Sequence, residues 1–100
     1  MITVVAKLQA NPGKEEELKA VLTEMVQNVK THEGSQVPTY SLHVSDEDPT
    51  LFLFYEQYAN AEALEAHAKT DHMKAMGQKL GGLLAGRPVI ERYTQVAGVS

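Results

Sequence analysis

A chain of 100 residues with 43% hydrophobic content builds one domain with its own core, although a chain this short leaves a large share of its surface in water. Thirteen acidic residues against nine basic ones give a net charge of −4 with no Lys/Arg cluster, which excludes the electrostatic footprint of a nucleic-acid or anionic-membrane binder. The absence of cysteine excludes disulfides, thiolate nucleophiles and thiolate metal sites together.

Ile2 to Gln9 alternates, with Ile2, Val4, Ala6 and Leu8 on one face and Thr3, Val5, Lys7 and Gln9 on the other, so a strand is expected. No apolar run approaches the ~20 residues of a membrane span, and the N-terminal segment lacks the basic start of a signal peptide; the expected setting is cytoplasmic. Asn11-Pro12-Gly13 breaks the strand. From Lys14 to His32, Leu18, Val21, Leu22, Met25, Val26 and Val29 form one apolar stripe at helical spacing, and three glutamates fill the first turn. Glu33-Gly34 stops that helix, leaving His32 as an exposed helix-end histidine.

Val37 to Ser45 reads as a second strand, with Tyr40, Leu42 and Val44 on one face and Thr39, Ser41 and His43 on the other. An acidic turn, Asp46 to Pro49, joins it in a hairpin to a third strand, Leu51 to Tyr58. Both faces of the third strand are apolar: Leu51, Leu53 and Tyr55 on one, Phe52, Phe54 and Tyr58 on the other, so both need cover. Asn60 sits as an N-cap for a helix over 61–67, and Thr70 repeats the signal for a helix carrying Met73, Met76, Leu80 and Leu83 or Leu84. Gly86-Arg87-Pro88 closes this region, Val89 to Val96 makes the last strand, and 98–100 form a frayed tail after a single domain over 1–97.

The order β-α-β-β-α-β with right-handed crossovers is the α+β ferredoxin-like sandwich, a four-stranded antiparallel sheet with helices on one face. The other face carries Leu51, Leu53 and Tyr55, an apolar surface larger than monomers usually leave wet, so a homodimer formed sheet against sheet is expected.

The polar residues able to do chemistry cluster in the second half of the chain. His67 is the leading catalytic candidate, since a neutral imidazole accepts a proton and an imidazolium stabilises an oxyanion; the competing reading is a helix-end histidine bonded across the break at Lys69-Thr70. Glu56 shares a strand face with Phe54 and Tyr58, where its charge is costly unless paired; the two readings are that it orients a histidine or that it pairs with Arg92, and Arg92 is the expected partner. Tyr40 and Tyr58 have hydroxyls for a substrate oxygen, or are core aromatics; Met76 offers an adaptable apolar wall, or plain core. His67 and His72 stand five apart across a helix break, off the spacing of a helical zinc pair and without an evident third ligand, so no metal is expected.

Tyr40-Ser41-Leu42-His43, the acidic turn before Pro49, Phe54 to Tyr58, Ala63 to His67 and Thr70-Asp71-His72, in this order and spacing, resemble the antibiotic biosynthesis monooxygenase superfamily of dimeric α+β barrels. The resemblance runs from Ile2 to about Val96 and implies a ligand pocket between sheet and helices in each subunit. It further implies oxidation of a quinol or phenolic aromatic by molecular oxygen without metal or flavin, the substrate anion itself reducing oxygen. His43 stands where quinone-forming members carry a pocket histidine, while their pocket asparagine falls on Phe54 and their tryptophan on Tyr58. The haem-binding positions of a related subgroup fall on Ala6, Tyr58 and Gly77, so haem is not expected. The resulting site is His67 as base, with Tyr40, His43, Phe54, Glu56, Tyr58, His72 and Met76 around the ring. Two alternatives stay open: an oxygen-independent isomerase of a small carbonyl compound, phosphorylated or not, and a non-catalytic binder of an aromatic metabolite.

Overall fold

The computed structural model describes residues 1–99. Its four strands are β1 (Ile2–Gln9), β2 (Thr39–Val44), β3 (Leu51–Tyr58) and β4 (Val89–Thr94), and its helices are α1 (Glu15–His32), α2 (Ala61–Ala68) and α3 (Asp71–Lys79). The strands form one antiparallel sheet in the order β2-β3-β1-β4, the ferredoxin-like arrangement expected from the element order.

Period-two alternation sorts the side chains onto two faces. The register sets Tyr40, Glu56, Val4 and Arg92 in one row across the sheet, and Leu42, Phe54, Ala6 and Ile90 in the next, all on the helix side. Above these rows α1 lays down Leu18, Leu22, Met25 and Val29, each at most 1% exposed. A buried leucine contributes roughly 1.5–3 kcal/mol, so this one stripe fixes where the sheet's covered face lies. Among the described residues no helix lies over the opposite face, which carries Leu51, Leu53 and Tyr55 on β3 and His43 on β2.

The elements depart from expectation by two residues or more at three ends, and by a single residue at the start of α1 and the ends of β2 and α2. Helix α3 stops at Lys79 rather than continuing to Leu83 or Leu84, because Gly82 takes a left-handed φ of +81° and Leu83 and Leu84 turn back to the first strand. There the Leu83 carbonyl accepts from the Asn11 backbone N–H at 2.8 Å, and Leu84 pairs with Ala10. Strand β2 begins at Thr39 rather than Val37, since Gly34, with φ +56°, leads a short 3-10 turn through Gln36 and Pro38 has no N–H to give a ladder. Strand β4 ends at Thr94 rather than Val96. Of the expected tail, Gly98 and Val99 lack regular structure and Ser100 lies outside the described residues.

Among the described residues no helix is long and apolar enough to cross a membrane.

Candidate active site

Three local devices build the site. At the C-terminus of α1, the backbone N–H of Glu33 still donates to the Val29 carbonyl at 2.9 Å, and Gly34 then turns the chain away. Asn60 caps α2 through Oδ1, which accepts from the Ala63 N–H at 2.9 Å. Thr70 holds the break between α2 and α3: its hydroxyl accepts from the Met73 N–H at 3.2 Å and donates to the His67 carbonyl at 2.9 Å. One side chain thereby stitches the end of one helix to the start of the next.

The break is what brings the two histidines together. His67 points from the inner face of α2 and His72 from the first turn of α3, and both reach the Glu33 carboxylate. His67 Nδ1 lies 3.0 and 2.9 Å from the two carboxylate oxygens, and His72 Nε2 lies 2.6 Å from one of them. All three side chains are nearly buried, at 5%, 8% and 10% exposure for His67, Glu33 and His72. His32, exposed at the end of α1, stacks on His72 with ring centroids 5.6 Å apart.

On the sheet side of His67 lies a cavity of about 270 Å³. Ala6, Phe54, Leu64, Met73, Met76 and Ile90 form much of its wall, and Tyr40, Glu56 and His67 are the groups that make one end polar. His67 packs its ring against Tyr40 and Tyr58, with centroids 5.4 and 5.3 Å away. Since Nδ1 is taken by Glu33, Nε2 on the ring's opposite edge is the nitrogen left for a ligand in the cavity.

Glu56 is 5% exposed and accepts a hydrogen bond from the Tyr58 hydroxyl at 2.5 Å. Burial pushes its carboxyl up to about 7; the Tyr58 hydrogen bond works against this, and the nearby Glu33 charge adds to it. Glu56 is therefore a carboxyl that titrates near neutrality. Burial, with the Glu56 and Glu33 charges, raises the Tyr40 and Tyr58 hydroxyls well above the ordinary tyrosine range, so both stay protonated and act as donors.

Several expected positions change in this geometry. His43 does not join the ring of pocket residues: period-two alternation places it on the open face of the sheet, exposed, with Nε2 2.9 Å from the Ser41 hydroxyl. His72 serves the Glu33 cluster behind His67 rather than the cavity wall, and the fully buried Tyr58 acts through Glu56 and His67 from outside that wall. Tyr40, Phe54, Glu56, His67 and Met76 do line the cavity. Glu56 does not pair with Arg92, because β1 runs between their strands and Arg92 is exposed. Glu33, which residue spacing alone does not single out, joins His67 and His72 so that three donor atoms lie within 4.8 Å of one another. Their present spacing of 2.6–3.0 Å is that of hydrogen bonds. Glu33 had one signal in the sequence: a negative charge at a helix C-terminus opposes the macrodipole and needs another reason to be there.

The sequence pattern of the antibiotic biosynthesis monooxygenases matches residues 1–79. A Caulobacter crescentus protein provisionally named an antibiotic biosynthesis monooxygenase superposes with a TM-score of 0.89 at 35% identity, covering 96% of this chain and 90% of its own. PA3566 from Pseudomonas aeruginosa superposes with a TM-score of 0.87 at 29% identity, covering 96% and 94%. The uncharacterised protein sll1783 of Synechocystis is 27% identical over 92 residues; this chain spans 61% of its length. With the family pattern matched over most of the chain and the fold shared nearly end to end, the chain belongs to the antibiotic biosynthesis monooxygenase family.

Proposed function

We propose that the protein is a monooxygenase acting on a phenol or quinol, with His67 as the base that takes the hydroxyl proton. The observation that carries this reading is the polarity of the cavity: an apolar chamber sized for a one- or two-ring aromatic, with an oriented imidazole at its polar end. Glu33 fixes the ring so that Nε2 faces the ligand, and Tyr40, held protonated, donates to the phenolate that forms. Apolar walls keep water from the anion, which leaves it electron-rich toward oxygen. The anion reduces molecular oxygen; one oxygen atom enters the ring as a carbonyl and the other leaves as water, so a phenol ends as a quinone. A second copy of the chain covers the open sheet face, where Val5, Leu51, Leu53, Tyr55 and Tyr93 would otherwise meet solvent.

A second reading draws on one observation: Glu56, titrating near 7, and His67 stand at the same end of the cavity. Two proton-transfer groups on one ligand suit isomerisation of a small carbonyl compound, in which one removes a proton and the other returns it elsewhere.

Oxygen dependence separates the two. Oxygen uptake is measured with a panel of reduced quinones and phenols, beside His67→Ala to subtract spontaneous oxidation. Uptake above background that falls about a hundredfold in the variant supports the monooxygenase. No uptake above background across the panel removes that reading and moves the assay to dicarbonyl compounds under nitrogen.

A further inference from the structure

A base enclosed in an apolar cavity has to dispose of the proton it accepts, and the Glu33 cluster offers a way out that avoids the cavity. Glu33 lies between two spaces. On one side, His67 faces the cavity; on the other, His72 and Thr70 line a groove with His32 and Asp71, and a second groove beside it is lined by Glu33 itself with His32 and Gln36. The three side chains thus bridge the interior and the outer surface at the α2–α3 break.

Their charges are also linked. A single buried carboxylate compensates a single imidazolium, and both imidazoles hold the same Oε2, so two positive charges around it are mutually unfavourable. The other charged or titratable neighbours sharpen this. Tyr40, Tyr58 and Glu56 face His67 from β2 and β3, the two tyrosines remaining neutral. His32 stacks on the outer side of His72, where any positive charge it carries disfavours one on His72, and exposed Asp71 adjoins it in the groove.

We propose that Glu33 and His72 form an outward proton relay for His67, so that a proton entering at the cavity is matched by one leaving into the groove. This rests on the reading of the cavity as a site for an acidic hydroxyl compound. At rest, His72 is the imidazolium and His67 is neutral, each donating an N–H to Glu33. The substrate O–H bond breaks and its proton goes to His67 Nε2, leaving the substrate anion beside an imidazolium. Glu33 now compensates His67, and His72 gives the proton on Nδ1 to groove water or buffer while keeping its Nε2–H on Glu33. The charge of the cluster is the same before and after, and one proton has passed outward. His72 and Glu33 are positioning residues here: neither touches the substrate.

The test uses 4-nitrophenol, whose anion is yellow, mixed with the protein in weakly buffered solution at a pH where the free phenol is mostly neutral. Bound anion is read by absorbance and released protons by a pH indicator. In the wild type each bound anion is accompanied by one released proton. His72→Gln keeps an N–H for Glu33 but cannot ionise; at a pH where the imidazole ¹⁵N signals show His67 of the variant neutral, the anion still forms and proton release is lost. Equal release by the variant overturns the relay.

If 4-nitrophenol does not bind, the phenol-site reading is weakened, and the imidazole ¹⁵N signals of ligand-free protein still decide the relay. In the wild type the His67 and His72 signals each follow both protonation steps, and His72→Gln moves the His67 titration to higher pH because Glu33 then serves one ring. Two independent titrations in the wild type overturn the proposal even if the variant fails to fold.

Discussion

The two faces of the sheet carry much the same polar vocabulary and do different things with it. On the open face, His43 meets Ser41, Thr39 meets Gln57 and Gln57 meets Gln95, part-exposed or exposed contacts in which water can replace either partner. On the helix face, His67, Glu33, Glu56 and Tyr58 are almost entirely shielded, and each has a partner it cannot exchange for solvent. An unpaired polar group costs little on the first face and roughly 1–3 kcal/mol or more on the second. Burial, rather than residue type, separates His67 from His43.

The widest separation between the faces should come from their histidines. His67→Ala lowers turnover about a hundredfold or more, the usual contribution of a positioned base, whereas His43→Ala stays within about twofold. Steady-state rates on any substrate found in the oxygen-uptake panel make this comparison; similar losses from both variants would mean that the open face takes part in the chemistry.

How far the sequence disclosed this division depends on which residues are asked about. The alternation in β2 and β3 alone sorts Phe54, Glu56 and Tyr40 onto one face and His43 onto the other. Family resemblance nevertheless points His43 toward the pocket, against its own periodicity. The stripe of α1 and the caps at Asn60 and Thr70 were legible because each is a local pattern. Glu33 was not, because its partners are 34 and 39 residues away and only the fold brings them within reach. The end of α3 is not legible in the sequence, because apolar spacing continues to Leu83 while Gly82 and pairing with the first strand decide the backbone.

Glu56 supplies the next largest difference, read as stability against pH. Its carboxyl is raised from an ordinary 4.5 to about 7, so the folded state keeps a proton that the unfolded chain has already lost. The contribution is therefore fully present below about pH 4.5 and is lost as the pH climbs toward 7, beyond which it is constant. Glu56→Gln removes this slope while preserving an acceptor for the Tyr58 hydroxyl, and above pH 7 gains about 3 kcal/mol over the wild type. Urea unfolding at pH 5 and pH 8 measures it; equal differences at the two pH values would contradict a buried, proton-holding carboxyl.

Smaller again is the effect expected from charging the open face. Leu53→Asp puts a carboxylate in the centre of the surface proposed to meet a second copy, and a tenfold or greater weakening of self-association, about 1.4 kcal/mol, follows. Light scattering over a dilution series reads it. A wild-type chain that is monomeric throughout the series would leave the apolar residues of this face in water and remove the second copy from the reading.

The finest distinction concerns how the helix face holds its histidines, and it turns on Thr70. Its hydroxyl both caps α3 and ties down the His67 carbonyl, so Thr70→Ala loses an N-cap worth about 1 kcal/mol and also loosens the break. Serine retains the hydroxyl, so Thr70→Ser restores both hydrogen bonds. Asn60→Ala provides the contrast, since Asn60 caps the N-terminal end of α2, opposite the end that carries His67, and costs a similar amount of stability without touching the break. If the break sets the convergence of His67 and His72 on Glu33, Thr70→Ala perturbs the imidazole ¹⁵N signals of both histidines and Asn60→Ala at equal stability loss does not. Equal perturbation by the two variants would assign the convergence to the packing of α2 as a whole, with the hydroxyl at the break serving only as a cap.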